Sequence, residues 1–278
     1  MAGVSAGPFV IRPATAGDMR DVQAVVTRAG LSSGQPGALE YCRTAPGGRL
    51  VVACQHERVT GVACSVSFGA TGWIGNVAVD PGARGRGLGT AVSEAALAWL
   101  GQAGVTTMLL TATDLGRPIY ERLGFAGDGV CYGIWERDRR PLPAADGEAG
   151  VRPGRIGDAL RQDAAATGED RSGYLSTFAA RVRVPAGREG TGYRIALPWG
   201  KGPVVASRAD SARALVTDML RVNPAQSLAF PESNAAATEL AAALGFRLTR
   251  RCTRMRLGPP VPGFRPERIF NTFSLAVG

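Results

Sequence analysis

The sequence predicts an α/β fold built from two similar units, each a sheet flanked by helices. Three observations carry the prediction. Short apolar runs alternate with segments of helical period along residues 10–135. A polar stretch punctuated by Pro and Gly, Arg137 to Gly150, separates that region from the rest. Beyond it lies a worn copy of the first unit: an offset of 121 residues places Asn234–Phe246 on Thr113–Phe125, with Leu244-Gly245-Phe246 on Leu123-Gly124-Phe125. The expected organisation is a first domain over 1–137, a linker over 138–150 and a second domain over 151–278. At 278 residues the chain is long for one average domain and comfortable for two.

Hydrophobic residues make up 45% of the chain, enough for a real core. No apolar run approaches the ~18 residues of a membrane span. The first residues, Met1 to Pro8, carry neither a basic start nor an apolar run, so a cytoplasmic protein is expected. Cysteines 42, 54, 64, 131 and 252 form no Cys-x-x-Cys pair and are expected as free thiols. His56 is the only histidine and sits in a polar stretch between two apolar runs, which reads as a turn, so no metal site is expected. The net charge of +9 is almost all arginine, Lys201 being the only lysine. Such a balance favours polyanionic ligands. No basic stripe is interleaved with aromatics, so nucleic acid is not the expected partner.

In chain order, Val10-Ile11 opens a short strand, and Thr15-x-x-Asp18 reads as a capping box starting a helix to about Arg28. A loop from Gly30 to Gly37 leads to a short helix near Ala38–Arg43. Arg49–Gln55 and Val59–Phe68 are apolar runs joined by a polar turn, a hairpin, and Trp73–Val79 is their antiparallel neighbour. Next comes a Gly/Arg-rich turn, Arg84-Gly85-Arg86-Gly87-Leu88-Gly89-Thr90, and a helix with Val92, Ala95, Ala96, Trp99 and Leu100 on one face. Such a turn aims backbone N–H groups at one point, and the positive end of the helix dipole adds to them, making an anion cradle suited to a pyrophosphate. The glycines let the backbone approach the ligand; Arg84 and Arg86 add fixed positive charge. No Gly-Lys-Ser/Thr follows, and the Gly-x-Gly-x-x-Gly spacing is absent, so neither common nucleotide loop fits. Val105–Thr111 is the next strand, Ile119 and Leu123 are an apolar pair on the following helix, and Val130–Trp135 is expected to close the first unit. In the second unit Gly202–Ser207 stands where Gly75–Asp80 stood, without a Gly-rich turn after it, and Tyr120 falls on Ala241.

The loop Arg84–Gly89 after Val77-Ala78-Val79-Asp80-Pro81 resembles the Arg/Gln-x-x-Gly-x-Gly/Ala pyrophosphate loop of the GNAT (GCN5-related) acyltransferases. Thr113–Phe125 resembles that family's Asn-x-x-Ala-x-x-x-Tyr-Glu-x-x-Gly-Phe segment. Gly168–Ser172, Gly202–Ala206, Arg254-Met255 and Phe270–Gly278 resemble the C-terminal domain of tandem GNATs of the YitH/HolE-like group. The resemblance implies two tandem GNAT-like domains with mixed, mostly antiparallel sheets, the second degenerate and helping to form the acceptor cleft. It implies acyl-CoA, acetyl-CoA first, as co-substrate, and no metal. Its pyrophosphate would rest on Arg84 to Thr90, and its pantetheine on Val77, Ala78 and Val79 in a gap between strands. Thr113, Gly116 and Arg117 would complete the contacts. Tyr120 would be the general acid at the leaving thiolate. Many members carry a Glu on the strand where this chain reads Trp73-Ile74-Gly75-Asn76. Asn76 could orient a water in its place, Asp114 is either an alternative base or a helix cap, and an amine already neutral needs no strong base; Asp170 reads as a cap. The activity implied is N-acylation of a small-molecule amine by direct transfer, a metabolite or antibiotic amine among them. An aminoacyl-tRNA donor and a non-catalytic acyl-CoA sensor stay open as alternatives.

Overall fold

The computed structural model describes residues 4–5, 9–31, 36–138, 150–188, 190–222 and 227–278; the expected linker, apart from its two end residues, lies outside them. The first half runs β1 (Val4–Ser5), β2 (Val10–Pro13), α1 (Met19–Arg28), α2 (Pro36–Thr44), β3 (Gly48–Gln55), β4 (Arg58–Phe68), β5 (Thr71–Val79), α3 (Leu88–Gln102), β6 (Thr107–Ala112), α4 (Arg117–Arg122) and β7 (Ala126–Glu136). The second runs β8 (Val151–Pro153), α5 (Ile156–Thr167), α6 (Ser172–Leu175), β9 (Val182–Pro185), β10 (Gly192–Ile195), β11 (Val204–Ala206), α7 (Ala209–Val222), β12 (Ser227–Pro231), α8 (Ala235–Ala243), β13 (Arg247–Leu257) and β14 (Ile269–Asn271). No helix of the described residues is long and apolar enough to cross a membrane.

Local chemistry explains the first half. Asp18 accepts from the Thr15 N–H at 2.7 Å, as the capping box requires, and α1 buries Val22, Val25 and Val26. The β3–β4 hairpin turns on His56 and Glu57, both with positive φ (46° and 64°), the geometry of a two-residue loop matched to strand twist. Along β3, Leu50 and Val52 face one core with α1 and α2, while Val51 and Ala53 face another with Leu88, Val92, Ala96 and Leu100 of α3. The sheet is thereby covered on both faces.

The expectation that Val130–Trp135 closes the first unit needs correction. A nine-stranded sheet runs β1-β2-β3-β4-β5-β6-β13-β7-β12, and a five-stranded one runs β14-β11-β10-β9-β8. The same offset of 121 carries β7 onto β13 residue for residue, and these two equivalent strands trade places. β13 pairs with β6 of the first half, and β7 pairs with β12 of the second. Between them β7 and β13 form the longest antiparallel ladder linking the halves, from Arg247↔Glu136 to Arg256↔Ala126. Strands of both halves thus alternate at one end of the nine-stranded sheet, and the sequence boundary near residue 138 divides the chain without dividing that sheet. Among the described residues all strand pairings are antiparallel except β5 with β6.

Buried polar contacts fix this arrangement. Arg171 makes a bidentate pair with Asp163 (2.9 and 2.5 Å), both almost fully buried, and the Tyr193 hydroxyl donates to the same carboxylate. Arg254 on β13 pairs with Asp128 on β7 at 2.7 Å and lies over the Phe264 ring. Trp73 on β5 donates its indole N–H to Glu169 across the lobes at 2.8 Å, and burial pushes that carboxyl up. Arg171→Ala strands the Asp163 charge in the interior. The expected cost is about 3–5 kcal/mol, read as a lower midpoint in urea unfolding; the double change Asp163→Asn with Arg171→Met should recover most of it.

Candidate active site

Where β5 ends, Asp80 accepts from the Gly82 N–H at 3.1 Å and pairs with Arg28 of α1 at 2.6 Å, which holds its carboxyl below the usual range and anchors the turn to α1. The following loop is bent by Gly85 and Gly87, with φ of 76° and 78°, backbone that favours glycine. A Cβ on either glycine would meet no protein atom within 4 Å: the space in front of the loop is open. Gly87 is the N-cap of α3, so the N–H groups of its first turn have no helical acceptor and face that space. Arg84 folds back through its Nε onto the Val79 carbonyl at 3.3 Å.

A strand gap opens beside the loop. β5 and β6 pair in parallel only at Thr71↔Thr107, Gly72↔Met108 and Trp73↔Leu109, then diverge. The divergence begins at a bulge. Val62 faces Ala78 but Cys64 faces Gly75, so Asn76 and Val77 share one partner position on β4. Asn76 absorbs the kink with φ of 49°, tolerable for asparagine. Loop and gap together bound a cleft of about 650 Å³.

The cleft gathers Asn76, Val77, Ala78, Val79, Arg84, Gly85, Gly87, Leu88, Gly89, Thr90, Thr113, Gly116 and Tyr120. Two residues expected there are elsewhere. Arg86 is exposed and does not line it. Arg117 is turned away: its Nη2 donates to Thr253 on β13 at 2.8 Å, and it lies 3.8 Å from Asp114. Strand exchange is the reason, since it puts a hydroxyl acceptor next to α4. Asp114 is fully exposed beyond the cleft, and the N-cap of α4 is Gly116. Asp170 precedes Arg171, the N-cap of α6, and accepts from the Ser172 N–H at 3.1 Å.

The sequence model of the acetyltransferase (GNAT) family matches residues 20–125, and that of a second acetyltransferase (GNAT) domain matches residues 159–271. The chain belongs to the GNAT acetyltransferase family. It is a tandem GNAT protein, and three solved structures share its fold over nearly the whole chain. A putative acetyltransferase from Pyrococcus horikoshii superposes with a TM-score of 0.85 at 24% identity, covering 99% of this chain and 98% of that one. A GCN5-related N-acetyltransferase from Sphaerobacter thermophilus gives 0.65 at 18%, covering 95% and 100%. A tandem GNAT protein from the clavulanic acid biosynthesis pathway gives 0.59 at 18%, covering 91% and 99%. A search of curated proteins gives no match.

Inside this GNAT cleft Tyr120 packs edge-on against Phe125, ring centroids 6.1 Å apart, and burial pushes its phenol up to about 12. No hydrogen bond to its hydroxyl is seen among the described residues. The second GNAT lobe carries a strand where the first has its gap. There β14 lies between β11 and β12: Val205 pairs with Ile269, the Asn271 Oδ1 accepts from the Ala229 N–H at 2.9 Å, and the Thr272 N–H donates to the Ala229 carbonyl at 2.8 Å. A strand fills the slot.

Several lining residues have no sequence motif behind them. Arg250 and Cys252 reach the first lobe's cleft on the exchanged strand β13, and Leu275 and Ala276 arrive on the segment after β14. Ala29 and Leu31, at the end of α1, close the remaining side.

Proposed function

We propose that this tandem GNAT protein is an acyl-CoA-dependent N-acyltransferase, with acetyl-CoA as donor, acting on a small-molecule amine by direct transfer in the cleft of the first lobe. The observation that carries the reading is the continuity of the positive-φ glycine loop, the gap beyond Trp73 and the Tyr120 hydroxyl around one cavity. Backbone N–H groups of residues 84–90 hold the pyrophosphate. The free edge of β5 over Val77–Val79 pairs with the pantetheine amides, and an N–H there polarises the thioester carbonyl. The amine nitrogen attacks that carbonyl carbon, the C–S bond breaks, and the thiolate is met by the Tyr120 O–H as the nitrogen releases its proton.

The base is water held by Asn76, or none. Among the described lining residues the charged ones are Arg84, Arg122 and Arg250, with no carboxylate. A cationic amine gains nothing there, so the acceptor reaches the cleft uncharged, which favours weakly basic amines. The second lobe serves as scaffold and cleft wall, and the reaction belongs in the cytoplasm, where acyl-CoA is made. The test is thiol release from acetyl-CoA with a panel of amines spanning basicity. Turnover concentrated on weakly basic amines is expected. Tight acetyl-CoA binding with no turnover on any amine overturns the enzymatic assignment in favour of a sensor.

A further inference from the structure

The narrow end of the splay is occupied by the second lobe. After β14 the chain passes through Thr272 to Gly278 into the angle between β5 and β6. The Thr111 hydroxyl on β6 donates to the Leu275 carbonyl at 2.6 Å. Across from it Gly75 on β5 meets Ala276 so closely that a Cβ there would lie 2.3 Å from the Ala276 Cα. Gly278 is buried against the Trp73 indole. A turn holds the segment, with the Ala276 N–H donating to the Ser274 Oγ at 3.1 Å and the Val277 N–H to the Ser274 carbonyl at 3.4 Å. Strands that would leave a tapering slot are thus bridged from both sides by backbone of the other lobe.

We propose that Leu275 and Ala276 set the length of the acyl group the cleft accepts, limiting it to two or three carbons. The inference rests on reading the cleft as the acyl-CoA site. A pantetheine arm that starts at residues 84–90 and follows the β5 edge backwards brings its sulfur level with Asn76 and Tyr120. Acyl carbons beyond the sulfur then point toward Gly75 and the vertex. The next atoms there are Leu275 and Ala276. Ala276 is pinned by the contact of its backbone with Gly75, and the Leu275 backbone by Thr111, so neither can retreat as a surface loop would. Each methylene beyond the fitting length is expected to lose about tenfold in affinity, the usual discrimination of a close apolar pocket.

Calorimetric titration with free CoA, acetyl-CoA, butyryl-CoA and octanoyl-CoA tests this without knowing the acceptor, each affinity being referred to that of free CoA for the same protein. The wild-type protein should favour acetyl-CoA over butyryl-CoA by about tenfold or more. Leu275→Ala should bring the two within about twofold, with Leu275→Val between. If CoA and acetyl-CoA bind but the ratio is the same in all three proteins, Leu275 and Ala276 are not the gauge. Should both variants fail to fold, the segment is a structural strap and the proposal falls. Failure of every CoA species to bind the wild-type protein is a different result, and it removes the acyl-CoA reading itself.

Discussion

Gly87→Ala is expected to weaken acyl-CoA binding by about two orders of magnitude while leaving the fold intact. Two effects separate cleanly at this position. Within the protein an added Cβ touches nothing, so the only internal cost is a non-glycine residue at φ of 78°, about 1–2 kcal/mol. Toward a ligand the same methyl stands in the open space that the loop faces. A diphosphate pushed outward there loses one or two charge-assisted hydrogen bonds of about 1.5–3 kcal/mol each, and 2.7 kcal/mol is about a hundredfold. Gly82→Ala is the control: Gly82 lies on the same turn with ordinary φ, and its added Cβ would only reach the Asp80 carboxylate at 3.6 Å. Titration with free CoA reads both. Wild-type affinity in Gly87→Ala means that the loop does not hold phosphate. Arg86→Ala, by contrast, should change the salt dependence of binding and little else, because Arg86 stands off the cleft.

What was legible in the sequence is what local chemistry decides. Glycines at 85 and 87 announced a turn open to a ligand, Thr15 and Asp18 a helix start, and the stretch around His56 a hairpin turn, because each depends on a few neighbouring residues. The exchange of β7 and β13 was not legible. Both strands follow a Leu-Gly-Phe turn and are equivalent under the internal repeat, so nothing local says which sheet each should join. That one non-local choice accounts for part of what the site residues alone missed. It delivers Arg250 and Cys252 to the first lobe's cleft, and it gives Arg117 a partner in Thr253 that draws it away from any phosphate. In the second lobe the sequence lacks the glycine turn and carries Ala241 where the first has Tyr120, and in the structure a strand, β14, lies in the corresponding slot.

Tyr120→Phe is expected to lower kcat by about a hundredfold and to leave the KM for acyl-CoA within about twofold. The ring is retained against Phe125, and the hydroxyl has no hydrogen-bond partner in the protein among the described residues, so the substitution removes no internal contact. Any loss therefore reports on what the hydroxyl does to substrate. With its phenol pushed up to about 12 by burial, Tyr120 stays protonated through the working range. Its raised value keeps the neutral donor form present below pH ~10 and lost only as pH climbs toward 12, so no alkaline fall in rate near pH 9 should come from it. Complete transfer of that proton to a thiolate of pKa ~8.5 is uphill by more than three units, about 5 kcal/mol. The phenol then acts through a hydrogen bond to the departing sulfur and keeps its own proton, while the proton the amine nitrogen gives up passes to the thiolate or to solvent. This predicts a dependence on the leaving group. A thioester of a more acidic thiol, such as an acetyl thiophenol, needs less help at sulfur, and the defect of Tyr120→Phe should shrink several-fold with it. An equal defect with both thioesters would assign Tyr120 to holding the pantetheine arm, and would leave the departing thiolate to be protonated by solvent.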